Sequence, residues 1–253
     1  MKRIILYSLA ALYILAAGCK KATQQAASDA TLPAEPTLFQ LLPASVTHVD
    51  FQNRLTEALN TNVLLYEYFY NGGGIAAGDL NGDGLDDLYF TANMAADHLY
   101  LNNGSMQFTD ITRQCGIQTR NGPWKTGVTM ADVNGDGKLD LYICYSGNLK
   151  PERRVNELYI NYGNNEQGIP QFKEEGRQYG LDSPATSTQG YFFDYDRDGD
   201  LDMFLLNHNI QALPVLNEAN TAAMLKTEDP VSGSRLYRND NNVFKDITRS
   251  SGI

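Results

Sequence analysis

Short runs rich in Tyr, Phe, Ile, Val and Thr, broken by clusters of Gly, Asn and Asp, recur along most of the chain. Such runs read as strands separated by tight turns. Three segments repeat one another: Gly74 to Phe90, Gly127 to Ile143, and Tyr191 to Leu205. Each carries an apolar run, an Asp-rich loop and a second apolar run. A matching block follows every loop. Leu99-Tyr100, Leu158-Tyr159 and Leu236-Tyr237 come first, then Phe108, Phe172 and Phe244. Gly116-Ile117, Gly180-Leu181 and Gly252-Ile253 close the units. Each unit predicts four strands: one before the loop, one after it, one at Leu-Tyr and one at the Phe. Four antiparallel strands repeated at this interval predict an all-β fold, a partial β-propeller of about three blades. The blades would span about 72–117, 125–181 and 188–253. A solenoid of strand–helix units is the competing architecture, and the repeats lack the helical periodicity it needs.

The N-terminus has a different pattern. Lys2 and Arg3 precede an uninterrupted apolar stretch from Ile4 to Ala17. A spanning helix takes ~20 apolar residues, so this stretch reads as a cleavable signal rather than a permanent anchor. It ends in Leu15-Ala16-Ala17-Gly18-Cys19, which resembles a bacterial lipobox, with Ala16 departing from the usual leucine. The resemblance implies cleavage after residue 18 and lipidation of Cys19. An ordinary signal peptide with a chance cysteine is the alternative. Residues 19–36 hold little that could bury a core and read as a flexible tether. Residues 37–71 read as a strand or packing segment. The expected address is a bacterial cell envelope, the domain held at a membrane through lipid alone, with the outer membrane favoured.

Composition sharpens this picture in two places. The formal net charge of −10 over 253 residues argues against nucleic acid as partner, and much of that charge sits in the three loops. Three cysteines are too few for a disulfide scaffold and suit no zinc site.

Aligned on their first residue, the loops read D-x-[DN]-x-D-G-x-x-D. Positions one, three, five and nine are Asp79, Asn81, Asp83 and Asp87 in the first. They are Asp132, Asn134, Asp136 and Asp140 in the second, and Asp194, Asp196, Asp198 and Asp202 in the third. Alternate oxygen-bearing side chains on a curled loop suit calcium, a hard cation that takes six to eight oxygens. The backbone carbonyl of position seven (Leu85, Lys138 or Asp200) would add another ligand. Gly84, Gly137 and Gly199 permit the turn. About three Ca2+ sites are therefore expected. Two carboxylates 4 Å apart repel by ~4 kcal/mol at an effective dielectric of 20, which a cation would relieve. An EF-hand needs a bidentate glutamate at position twelve, where this chain has Phe90, Ile143 and Leu205. A metal-free Asx-turn hairpin is the plainer alternative.

These motifs, three times in register over roughly 72–253, resemble the FG-GAP/VCBS repeat family, known from integrin α-chains. The resemblance implies calcium loops that hold propeller blades together, with recognition on the propeller's face. The run Tyr66-Glu67-Tyr68-Phe69-Tyr70-Asn71-Gly72-Gly73-Gly74 resembles the subset that carries an ASPIC/UnbV domain downstream, a domain this sequence does not contain. Unit spacing leads us to expect another loop just beyond Ile253, hence a truncated propeller, with the segment around Phe39 to Val46 supplying a closing strand.

No serine, cysteine or acid accompanies His48, His98 or His208 in a catalytic pattern. Cys144 reads as a small buried residue, with a Cys115–Cys144 disulfide left open. Tyr66, Tyr68, Phe69 and Tyr70 read as blade packing in preference to a sugar-stacking surface. The expected function is a calcium-binding, non-enzymatic binding or adhesion module with a protein or glycan ligand. The alternative is part of a polysaccharide-acting hydrolase or lyase whose catalytic residues lie elsewhere, and a purely structural envelope role is a third reading.

Overall fold

The computed structural model describes residues 38–118, 120, 122, 124–210, 217–224, 226–227 and 229–252. The signal segment, Cys19 and the tether lie outside the described residues. The chain divides into two compact units, Met1–Leu41 and Leu42–Ile253. In the first, the described Leu38, Phe39 and Leu41 are exposed. No helix among the described residues is long and apolar enough to cross a membrane.

Within the second unit the described strands form three four-stranded antiparallel sheets, each in simple meander order. Sheet I contains β1 (Ile75–Gly78), β2 (Asp87–Phe90), β3 (His98–Asn102) and β4 (Phe108–Asp110). Sheet II contains β5 (Lys125–Ala131), β6 (Asp140–Tyr145), β7 (Glu157–Asn164) and β8 (Pro170–Glu174). Sheet III contains β9 (Ser187–Phe193), β10 (Asp202–Asn207), β11 (Arg235–Asn239) and β12 (Phe244–Asp246). The first hairpin of each sheet closes in one register. Gly78 faces Asp87, Ala131 faces Asp140, and Phe193 faces Asp202. Each Asp loop thus starts one residue past a strand end and finishes on the first residue of the next strand.

The sheets pack face to face in sequence. Leu80, Tyr89, Leu99 and Ile117 of sheet I share one core with Val128, Leu141, Ile143 and Phe172 of sheet II. Val133, Tyr142, Leu158 and Leu181 of sheet II share a second core with Met203, Leu205 and Phe244 of sheet III. Sheet II is covered on both faces, and all six residues of β6 are buried. A strand in that position needs apolar residues on both sides, which is why Leu141-Tyr142-Ile143-Cys144-Tyr145 lacks polar alternation. Each large side chain buried this way stabilises the fold by roughly 1.5–3 kcal/mol. Cys115 and Cys144 are free thiols, one in each core, so the open disulfide alternative falls.

The expected closing strand does not form. Phe39 is exposed, and Ala44–Thr47 make one helical turn outside the core. The Pro43 carbonyl accepts from the amides of Val46 and Thr47, and His48 ends the turn at φ 62°. Proline first and a left-handed residue last favour a turn over a strand. The residues that do reach sheet I come a few positions later. The Phe51 ring stacks on Phe90 at 4.9 Å, and Tyr100 donates its hydroxyl to Asp50. A helix at Glu218–Met224, between β10 and β11, was not anticipated; it buries no residue.

Candidate functional site

Position nine of each loop is an acid with both carboxylate oxygens on backbone amides. Asp87, Asp140 and Asp202 are fully buried, and each carboxylate joins two separate stretches of backbone. One oxygen accepts from the amide at position two: Leu80 at 2.9 Å, Val133 at 3.0 Å, Tyr195 at 2.7 Å. The other accepts from the third strand: Asn102 at 2.9 Å, Asn161 at 2.8 Å, Asn239 at 2.8 Å. Those three asparagines return the contact, each side-chain amide donating to the carbonyl at position eight, Asp86, Leu139 or Leu201. The Asn-rich setting after each Leu-Tyr pair therefore acts as a latch on the loop. Burial pushes the carboxyls of Asp87 and Asp140 up to about 6 despite these amides, with the neighbouring loop acids adding to the rise.

Position one does the opposite, turning inward to cap the loop. Asp79 accepts from the amides of Gly82, Asp83 and Gly84, and Asp132 from those of Asp136 and Gly137. Asn81 and Asn134 at position three accept from the amide of position five. Position five accepts from position seven in all three loops. This is the hydrogen-bond pattern of a tight Asx-rich turn, with the positive φ of Gly84, Gly137 and Gly199 easing the curl.

The loops then diverge. In the third, Asp194, Asp196 and Asp202 bring one carboxylate oxygen each within 4.8 Å of one another, the one such acidic group among the described residues. The inward hydrogen bonds of Asp194 are also the longest of their kind, 3.2 and 3.3 Å. Position seven is Asp200, whose Oδ1 is buried without a hydrogen-bond partner. Loss of solvent and then the neighbouring Asp198 push this carboxyl up to about 6. Converging carboxylates fit a hard divalent cation. In the second loop the Lys138 ammonium sits 2.9 Å from Asp136 Oδ2 and pairs with one of the carboxylates a cation would use. In the first, the Asn81 side-chain amide donates to Asp83 at 3.0 Å. Of the fifteen residues predicted to ligate metal, the structure gathers the carboxylates of Asp194, Asp196 and Asp202 closely.

A second feature involves two residues of the tyrosine run that the sequence reading placed in packing rather than in a site. The inner strands β1, β5 and β9 begin beside one another around a cleft of about 390 Å³, walled by Tyr66, Tyr68, Trp124, Gln189, Tyr191 and His208. Tyr66 and Phe69 form a small core with Trp124 beneath it, as the packing reading expected, whereas Tyr68 is partly buried and Tyr70 is exposed. The remaining wall residues come from elements far apart in sequence. Tyr66 and Tyr68, for which the sequence offered a sugar-stacking surface as the alternative to packing, were the signal that pointed there.

Comparison with known proteins supports the repeat assignment over part of the chain. Residues 79–143 match the FG-GAP-like repeat. Cartilage acidic protein 1 of Xenopus tropicalis is 30% identical over 142 residues, which is 54% of this chain and 20% of that protein. The chain thus spans about a fifth of the length of the curated relative it matches. Residues 79–143, from the first aspartate loop into the strand after the second, form an FG-GAP-like repeat region.

Proposed function

We propose that this chain is a calcium-stabilised, non-enzymatic binding or adhesion module, an arc of three propeller blades lipid-anchored through Cys19 at a bacterial cell envelope. The observation that carries the reading is the third loop, where Asp194, Asp196 and Asp202 converge. The same hydrogen-bonded scaffold recurs in the other two loops, which supports calcium at each. Calcium there offsets carboxylate repulsion and fixes the first hairpin of a blade, leaving the open faces for a protein or glycan partner. Affinity should fall from the third loop to the first to the second, where Lys138 competes with the cation for Asp136.

The experiment is a thermal melt of the chain with calcium and with a chelator. At ten times its Kd each occupied site adds about 1.4 kcal/mol, so three sites raise the melting temperature by several degrees. Changing Asp83, Asp136 and Asp198 to alanine should remove that rise. A cooperative melt indifferent to calcium and chelator sinks the calcium reading. The anchor is tested separately: Cys19→Ser should abolish incorporation of labelled fatty acid in a bacterial host.

A further inference from the structure

The cleft between the inner strands is built on close backbone approach. A Cβ on Gly74 would meet the Thr126 carbonyl at 2.8 Å, and one on Gly127 would meet Gln189 Oε1 at 1.8 Å. Glycine at these two positions lets the three strands converge and leaves their polar backbone at the bottom of the cleft.

Three observations define what it would accept. First, no Asp, Glu, Lys or Arg lines the cleft among the described residues, although the protein carries a net charge of −10. His208, its one titratable base, is held below its ordinary value by burial and is neutral at pH 7. An ionic ligand would lose its water there and find no countercharge. Second, hydrogen-bonding groups are dense and already ordered. His208 Nδ1 lies 3.0 Å from Thr188 Oγ1, and its Nε2 lies 3.4 Å from the Tyr66 hydroxyl and 3.3 Å from Ser146 Oγ. The Gln189 amide donates to Thr129 Oγ1 at 2.6 Å and to the Val128 carbonyl, which orients its Oε1 as an acceptor. Third, aromatic rings stand at the walls. Tyr191 is 51% exposed although it lies on an inner strand, and Tyr68 sits against the His208 ring at 4.2 Å between centroids. Trp124 and Tyr66 meet edge to face below them at 5.4 Å.

Flat apolar rings beside uncharged donors and acceptors match a ligand with one C–H face and a rim of hydroxyls. We infer that this cleft binds an uncharged saccharide, its ring against Tyr191 or Tyr68 and its hydroxyls on Gln189, Thr188 and His208. The inference rests on the reading of the chain as a binding module and supplies the ligand class for it. A proline-rich peptide would use the aromatic walls but leave the Gln189, Thr188 and His208 groups largely unmatched, so the hydroxyl-bearing ligand is favoured.

Trp124 is a built-in reporter, because it is the sole tryptophan and lines the cleft. The full chain would be titrated with cellotetraose, laminaritetraose and mannotetraose, with tetragalacturonate and a proline-rich peptide as contrasts. A saturable change in Trp124 emission is expected with at least one neutral tetrasaccharide. Tyr191→Ala and Tyr68→Ala should each weaken it about tenfold or more, as loss of an aromatic anchor does. Tyr191→Ala should keep the parent melting temperature, Tyr191 being exposed, whereas Tyr68→Ala also loses packing on the small core and is titrated below its own melting temperature. The assignment is overturned if none of the neutral sugars changes the emission at about 10 mM, the millimolar edge of specific binding. It is equally overturned if Tyr191→Ala and Tyr68→Ala both bind as the parent does, or if the acidic sugar or the peptide is preferred. Melting the same samples with calcium and chelator separates the two ideas. A calcium shift without sugar binding removes only the saccharide site; sugar binding without a calcium shift removes only the metal.

Discussion

Lys125 is withdrawn from water at the start of β5, its ammonium 3.0 Å from Asp97 and 3.2 Å from the Ala95 carbonyl. Asp97 also accepts from the Tyr89 hydroxyl and the Ala92 amide, so the pair is tied into sheet I from two sides. Removing one partner of such a pair strands the other charge, and Lys125→Met should cost about 3–5 kcal/mol in denaturant titration. Adding Asp97→Leu should return part of that loss, a coupling that a double-mutant cycle reads directly. His208 supplies one part of the pH dependence. Burial depresses its folded-state value, so the neutral form is the one the fold prefers. The stability tied to this group is full above the unfolded value, ~6.5, and is lost as pH falls through the folded one. The carboxyls of Asp87, Asp140 and Asp200, pushed up to about 6, act in the opposite sense, so the His208 share is read by difference: on going from pH 7 to pH 5 the denaturation midpoint of His208→Gln should rise relative to that of the parent. Neither residue was legible in the sequence as more than a lone cation or a structural histidine. Their partners lie 28 residues away for Lys125 and 142 for the Tyr66–His208 contact, and no local pattern encodes such distances.

At the scale of elements, the strands and loops were legible because each unit repeats the same physical requirements. Gly and Asp punctuate the hairpin, apolar residues fill both faces of a central strand, and asparagine latches the loop. One repeated device escaped notice. Phe108-Thr109-Asp110-Ile111-Thr112 and Phe244-Lys245-Asp246-Ile247-Thr248 end their sheets alike. The threonine hydroxyl donates to the aspartate at 2.6 Å and accepts from the amide of Leu99 or Leu236 at 2.9 Å. Sheet II has Gly176 in place of that threonine, so only two of the three units carry the signal. The glycines that follow each outer strand give a matched test. A Cβ at Gly116 would meet the Phe172 carbonyl at 2.6 Å, and one at Gly180 the Phe244 carbonyl at 2.7 Å, but Gly252 has open space. All three have positive φ. Gly252→Ala should therefore cost only the left-handed strain, about 1 kcal/mol, whereas Gly180→Ala should cost about 2–3 kcal/mol more through displaced backbone. Equal losses in the two variants would show that the contact between sheets II and III is soft.

For the whole molecule, the stacking of sheet on sheet explains an asymmetry in exposure. Leu80 and Val133, at position two of the first and second loops, are 3% and 2% exposed because the next sheet covers them. Tyr195, at the same position of the third loop, is 43% exposed, and Leu206 further along β10 is exposed too. A further repeat seated on that face would bury both as Leu80 and Cys144 are buried. A chain extended by one such repeat should melt higher and protect the amides of β10 and β11 from exchange. The meander order was legible from four signals per unit. The aromatic cleft was not, since residues from 66 to 208 meet there only once three sheets have stacked.

The shared grip of Asp87, Asp140 and Asp202 has a consequence for how the protein would be dismantled. One carboxylate holds the mouth of a hairpin and the far part of the third strand of its sheet, so neither can come loose while the other stays. A protease waiting for β3, β7 or β11 to peel away must first wait for the acidic loop to let go. Whatever lingers in that loop, a calcium ion above all, would lengthen the wait and act as a timer on the lifetime of the sheet.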